Sequence, residues 1–324
     1  MKAFVTFSVV FVLAAFFTAA ALGQAPVPHN EHNAALRYWM AFALMQDSAA
    51  DKTTSDLLES TASGKTAWDE VRLGPILDAN HQALEIMQRG TELPTCDWGL
   101  EYGLGPAVPI AHLAKARVMA RLNTLAGMRL AARGQLPQAI DTWIAGLRFS
   151  RHIAEGGSLV SLLTARAALM SNLQALKQNL SNASVTQPDR MKIQTALRAL
   201  PETAFDWGSA LQLEQSGLEI FVHQGSIAAD PKAYYRTIIS APADFSVPTA
   251  SEIAAFRRVM GRAVAALRLP PEETRQRLKD IEDSENTLHP LFKRTIPSLS
   301  KVNDVRAEIR SERQSVLEAV SVPR

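Results

Sequence analysis

Residues 123–147 read NTLAGMRLAARGQLPQAIDTWIAGL. Apolar residues recur three and four apart on each side of one break, the spacing of a buried face on an α-helix. Leu122, Leu125, Ala126 and Leu130 make the first stripe; Leu136, Ile140, Trp143, Ile144 and Leu147 make the second. Gly134 stands between them, where a residue that tolerates positive φ can end a helix and turn the chain. The stretch reads as two antiparallel helices. One hairpin cannot bury both stripes, so it needs helical neighbours.

Those neighbours are legible on both sides. Leu36, Met40, Ala43 and Leu44 share a face. Pro75 reads as a first-turn proline ahead of Ile76, Ala79, Ala83, Leu84 and Met87, and Pro109 as the start of the helix that reaches Leu130. Gly156-Gly157 breaks the chain, and Ser158 is placed to cap a long helix through Leu163, Ala167, Met170, Leu173 and Leu176. Pro188 starts a shorter helix that Pro201 ends, and Leu211, Leu218 and Val222 mark the next. Asp230-Pro231 is a cap with a first-turn proline, and Thr249 and Glu252 have capping-box spacing before Ile253, Phe256, Met260, Val264 and Leu267. Beyond Pro270-Pro271 come a helix with Leu278 and Ile281 and a last one with Val302, Val305, Ile309, Val316 and Val320. No period-two run of β-branched residues with hairpin turns intervenes. The expected fold is all-α, built from stacked antiparallel helical hairpins, either an ordered array or an irregular bundle, over residues 33–324. A sub-boundary is expected near 181–187, with a C-terminal helical segment at 249–324.

The central hairpin resembles a tetratricopeptide repeat, over about residues 120–153. Gly127 stands at the small position of the first helix, Gly134 in the turn, and Leu136 where an apolar residue is expected. Ala139 is the small residue of the second helix, Trp143 its large one, and Gly146-Leu147 its small-then-large pair. Asn123 falls where an aromatic is usual, Arg151 where a closing proline is usual, and no second copy of the pattern is clear. The resemblance implies an extended concave surface that takes peptides or partner proteins. More widely, NAALRYWMAFAL at 33–44, CDWGLEYG at 96–103 and HLAKARVMARL at 112–122 resemble a group of exported bacterial all-helical proteins. That resemblance implies export and helicity, with no activity attached.

Export is also read from the residues. Met1-Lys2 is a minimal positive start, Ala3 to Leu22 carries no charge, and Ala21-Leu22-Gly23 is a small-residue exit before Gln24. This is the pattern of a signal peptide, with cleavage expected after Gly23, or after Ala21 as the alternative. A flexible leader is expected at 24–32. The competing reading is an uncleaved anchor, since the uncharged run has the length of a membrane span. Contact with a membrane is expected only in that case; no later stretch reads as a span. The mature chain is expected in the periplasm or cell envelope. The single Cys excludes an intrachain disulfide and a multi-Cys zinc site, and Cys96 reads as a small buried hydrophobe.

Of the 324 residues, 47% are hydrophobic and 20% charged, which is a globular rather than a disordered composition. The net charge of +2 gives no argument for a nucleic-acid partner. Its distribution is uneven. Residues 24–110 hold 5 Lys and Arg against 12 Asp and Glu; residues 111–170 hold 8 against 2. In the basic block Arg117 with Arg121, and Arg129 with Arg133, lie four apart and share helix faces. One expectation is a basic groove in which Arg117, Arg121 and Arg129 bind an acidic partner. The other is that the acidic N-terminal helices pack beside the block and neutralise it.

Catalytic motifs are absent: there is no P-loop, no G-x-G-x-x-G after a strand, no G-x-S-x-G and no H-E-x-x-H. His29, Glu31 and His32 lie in a proline-rich leader, and no metal site, cofactor or catalytic residue is assigned. The densest segment is TCDWGLEYGLGPAVP at 95–109, whose Asp97, Trp98, Glu101 and Tyr102 are candidate binding residues. It reads as a structured connector in which Trp98 and Tyr102 fill the core and Asp97 caps a turn; the alternative is an enzyme site of Cys96, Asp97, Glu101 and His112. Asp206-Trp207-Gly208 echoes Asp97-Trp98-Gly99. The functional expectation is an exported scaffold that binds a protein or peptide. The alternatives are an exported helical enzyme and an anchored structural protein.

Overall fold

The computed structural model describes residues 32–46, 52–239, 246–285 and 288–321. The expected signal peptide, and the leader up to Glu31, lie outside them. The chain is all-α: no strand occurs among the described residues, and the only β-type pairing there is an isolated bridge between Asn33 and Thr95.

Helices α1 (Ala34–Leu44), α2 (Lys52–Ala62), α3 (Glu70–Ala79) and α4 (His81–Gly90) form the N-terminal layer. Pro75 does not open a helix. It lies inside α3, whose start is set by Asp69 accepting the amides of Val71 and Arg72, and the break comes later, at Asn80. A connector containing the 3₁₀ turn Tyr102–Ala107 leads to α5 (His112–Ala132), which begins three residues after Pro109. Then follow α6 (Leu136–Ala154), α7 (Leu159–Asn179), α8 (Gln187–Arg198) and α9 (Trp207–Ile227). The chain continues with α10 (Pro231–Ile239), α11 (Ala250–Leu267), α12 (Pro271–Glu285), α13 (Pro290–Thr295) and α14 (Leu299–Ser321). Capping boxes set the starts of α11, with Thr249 and Glu252, and of α8, with Thr186 and Asp189.

Helix α6 is the centre, with α5 on one side and α7 on the other. Close approach to both depends on two glycines. A methyl group at Gly127 would overlap the indole of Trp143, and one at Gly146 would overlap the amide of Asn172. Trp143 is fully buried and its Nε1 donates to the Thr124 carbonyl across the α5–α6 contact, at 3.2 Å. Gly134 turns the chain between them with φ +76. Asn123, where an aromatic was the usual residue, is buried and links three helices: its Nδ2 donates to the Thr142 carbonyl (2.9 Å) and its Oδ1 accepts from Gln88 Nε2 (3.1 Å). Helix α7 is long and apolar enough to cross a membrane, which the sequence reading did not anticipate. Yet 61% of its apolar window is buried inside the protein, as in a core helix.

The C-terminal helices are held by arginines that satisfy the carbonyls a helix leaves over at its end. Arg190 of α8 donates to Ala319 O (3.1 Å) at the end of α14, and also to Leu180 O (3.1 Å). Arg313 of α14 donates in return to Leu197 O (3.0 Å) and Leu200 O (3.3 Å), at the end of α8. Each helix of this antiparallel pair thus caps the other. Arg306, 2% exposed, donates to Leu269 O (2.5 Å) just past α11 and to Asn303 Oδ1 (2.9 Å), and burial lowers its pKa to about 10. The seam of Val302, Ile309 and Val316 is buried, and α14 packs on α12, α7 and α8.

Candidate functional site

The connector after α4 carries four of the candidate binding residues, and the structure separates them. Trp98 is buried and its Nε1 donates to the His152 carbonyl at 2.8 Å. Asp97 is exposed; its Oδ1 accepts the Gly99 amide (2.9 Å), which closes a turn, while its backbone is clamped by Asn33. Glu101 is exposed as well. Tyr102 is half-buried and donates its hydroxyl to the Gly156 carbonyl at 2.5 Å. The echo at 206–208 has a different role: Asp206 caps α9 by accepting the Ser209 amide.

Around Trp98 lies an aromatic cluster. The imidazole of His112 stacks on its indole at 4.4 Å between centroids, and Tyr38 and Phe42 stack on it too. His112 is 1% exposed, neither ring nitrogen has a hydrogen-bond partner among the described residues, and burial lowers its pKa to about 4. His152 is fully buried and lowered to about 4, by burial first and then by Arg151 and Arg148. Arg151 can only donate, so its 3.3 Å contact makes His152 Nε2 the acceptor; the Nδ1 proton then faces the Tyr38 hydroxyl at 2.6 Å. Both histidines are neutral packing groups near neutral pH. Burial, and then the carboxylates of Glu155 and Asp97, push the Cys96 thiol far up, away from any reactive thiolate. No hydrogen bond joins Cys96, Asp97, Glu101 and His112 to one another, so this geometry lends nothing to the enzyme alternative. No cluster of three or more His, Cys, Asp or Glu able to hold a metal occurs among the described residues.

Half of the basic block, Arg121, Arg129, Arg133 and Arg166, meets acidic neighbours. Arg121 pairs with Glu59 of α2 at 2.5 Å. Arg129 pairs with Glu70 (2.6 Å) and Asp78 (2.5 Å) of α3, and Arg133 with Glu70 (2.8 Å). Arg129 holds the Glu70 carboxyl down, from 4.5 to about 2. Arg117 and Arg121 do share a hollow of about 420 Å³ with Arg166, but Arg166 is paired in turn with Glu308. Arg129 lies elsewhere, against α3. The acidic N-terminal helices thus neutralise Arg121, Arg129 and Arg133, while Arg117 has no carboxylate partner among the described residues.

Two concavities stand out. The larger, about 1460 Å³, runs between α6 and α8 and ends at the last turn of α4. Its floor is apolar, with Leu130, Ile144, Ala145 and Leu147. Met191 stands on its rim, 59% exposed, and Lys192 and Asp141 pair across it at 2.9 Å. Arg148 and Arg151 line the same groove and neither has a carboxylate partner among the described residues. The second concavity, about 540 Å³, lies where the 3₁₀ turn meets α9, α11 and the segment after α13. Its walls include Val108, Val160, Leu213, Ile220, Phe256 and Ile296, with Tyr102 and Glu214 as its only ionisable groups among the described residues. Ser158, expected to cap α7, makes no side-chain cap bond; Glu214 Oε1 accepts the Leu159 amide instead, at 3.0 Å.

Of the candidate binding residues, only Tyr102 lines this second cavity, and Arg148, Arg151 and Glu214 were not singled out in the sequence. Arg148 and Arg151 carried a signal, lying farther along the chain from the acidic helices than Arg117, Arg121, Arg129 and Arg133. Compared with protein-family models, with curated proteins and with solved structures, the chain matches none.

Proposed function

We propose that this chain is an exported helical scaffold of the cell envelope, and that the groove between α6 and α8 holds a peptide segment of a partner protein. The observation that carries the reading is the groove itself: an apolar floor with two arginines at one end that pair with no carboxylate among the described residues. From Gln138 to Arg151 it follows α6 for about 20 Å at 1.5 Å per residue. An extended peptide rises about 3.3 Å per residue, so about six residues fit. Apolar side chains rest on the floor, and a carboxylate, from an acidic residue or a C-terminus, meets Arg148 and Arg151. The likeness of the α5–α6 hairpin to a tetratricopeptide unit supports the same reading, because stacked helix pairs present extended binding surfaces. The uncharged run Ala3–Leu22 supports export.

The test is peptide selection on the purified chain, followed by fluorescence anisotropy. Selected peptides are expected to combine apolar residues with a carboxylate, and to lose at least tenfold in affinity to R148E/R151E, which replaces attraction with repulsion. Peptides without acidic character, or equal affinity for the charge-reversed chain, would sink the reading. Export is tested by the N-terminus of the mature protein, expected at Gln24.

A further inference from the structure

The 540 Å³ cavity shares no lining residue with the α6–α8 groove, and its chemistry is different. Its walls are mainly apolar, drawn from the 3₁₀ turn, α7, α9, α11 and the Thr295–Pro297 segment. Volume and lining are those of a small-molecule site: a mainly hydrophobic hollow with few polar groups to orient an occupant. Of its two ionisable groups, Tyr102 is committed, because its hydroxyl donates to the Gly156 carbonyl. Glu214 is not. One oxygen accepts the Leu159 amide and Ser158 adds a second bond, which leaves part of the carboxylate's acceptor capacity unused. No cation among the described residues pairs with it. The contrast with its own helix is sharp: Glu219, further along α9, is paired with Arg257 at 2.9 Å.

We propose that this cavity binds a small organic cation with an apolar body, an alkyl- or arylammonium, whose charged head lies against Glu214. A carboxylate facing an apolar hollow with no counter-ion is costly to keep ionised. Burial does push the Glu214 carboxyl up. A ligand ammonium supplies the missing counter-ion and up to three donors, while the apolar body covers Leu213, Ile220 and Phe256. A ligand carboxylate would set like charges together. An alcohol of the same shape would fill the space without the charge-assisted bond.

The experiment uses the purified chain and the neutral dye N-phenyl-1-naphthylamine, displaced in turn by n-octylammonium, n-octanol and octanoate. The ammonium is expected to displace the dye at a concentration about tenfold or more below that needed for octanol, with octanoate weakest. Glu214→Gln keeps an acceptor for the Leu159 amide, so dye uptake should persist while the ammonium advantage disappears. Val160→Trp, at a wall position 48% exposed, should block the mouth and abolish uptake, with helicity checked by circular dichroism. R148E/R151E should leave all of this unchanged, which separates the cavity from the peptide groove. Any one of four results would overturn the proposal: no dye uptake by the wild-type chain, equal displacement by the three compounds, an ammonium advantage that survives Glu214→Gln, or uptake unaffected by Val160→Trp.

Discussion

Gly127→Ala should destabilise the protein, against the ordinary rule for a helix interior. Alanine in place of glycine in an exposed helical position gains about 1 kcal/mol, from a less flexible unfolded chain and better propensity. At Gly127 the added methyl would occupy the space of the Trp143 indole. Trp143 is fully buried and cannot swing aside into solvent, so the methyl must force α5 and α6 apart or push the ring off its rotamer. Overpacking of this kind costs about 1–3 kcal/mol, and losing the Trp143–Thr124 hydrogen bond adds about 1. The net effect is a destabilisation of about 1–3 kcal/mol. Trp143→Ala alone should cost about 3–5 kcal/mol, as other large-to-small core changes do. In that background the clash is gone, and Gly127→Ala should turn stabilising by about 0.5–1 kcal/mol. Gly261→Ala is the control: that glycine lies in α11 with nothing near its missing Cβ, and the change should stabilise by about 0.5–1 kcal/mol. Urea unfolding followed by far-ultraviolet circular dichroism reads all five proteins, the wild type and four variants, at one common urea concentration. If Gly127→Ala stabilises the wild-type chain as it does the Trp143→Ala variant, the close approach of α5 and α6 is wrong.

Three further outcomes follow from the buried and paired charges. Glu70 titrates at about 2 in the folded chain instead of 4.5, so its ion pairs with Arg129 and Arg133 stabilise fully above pH 4.5 and fade as the pH falls towards 2. Arg129→Ala should flatten that part of a stability-against-pH profile, and an unchanged slope would refute the assignment. His112 is held neutral down to about pH 4, whereas the unfolded imidazole takes up its proton near 6.5. Its contribution is therefore complete above pH 6.5 and lost between 6.5 and 4; His112→Phe keeps the stack on Trp98 and should reduce that loss without lowering stability at pH 8. Arg190→Ala strips donors from the end of α14 and should cost about 1–3 kcal/mol, with faster amide hydrogen exchange confined at first to the last turns of α14 and the end of α7. Protection unchanged there would show that the arginine does not cap.

The hairpin at 123–147 was legible because its information is local. Stripe spacing, Gly134 and the small residues facing Trp143 sit within a few turns of one another, and the helices use them as read. Capping chemistry was equally readable at Thr249 and Asp230, but an in-sequence cap can be displaced by a distant one, as Glu214 displaces Ser158. Pro75 misled because a proline marks a helix start only when no stronger cap precedes it, and Asp69 does. The charge asymmetry of residues 24–110 and 111–170 was visible, and so was the rule that opposite blocks pair. What the chain order hides is which arginines are left over. Arg148 and Arg151 escape pairing because α6 turns that end towards α8, away from Glu59, Glu70 and Asp78. The second cavity was illegible for a plainer reason. It is space left unfilled between segments as far apart as Tyr102 and Ile296, and no local pattern records a space.

The binding reading stands or falls on where a selected acidic peptide lies. A peptide carrying a photoreactive group at its centre, irradiated on the purified chain and mapped by mass spectrometry, should label Met191 and Thr195 of α8 and the facing turns of α6, and should stop doing so in R148E/R151E. Labels on α3 or α10 instead, or the same labels after charge reversal, would contradict it.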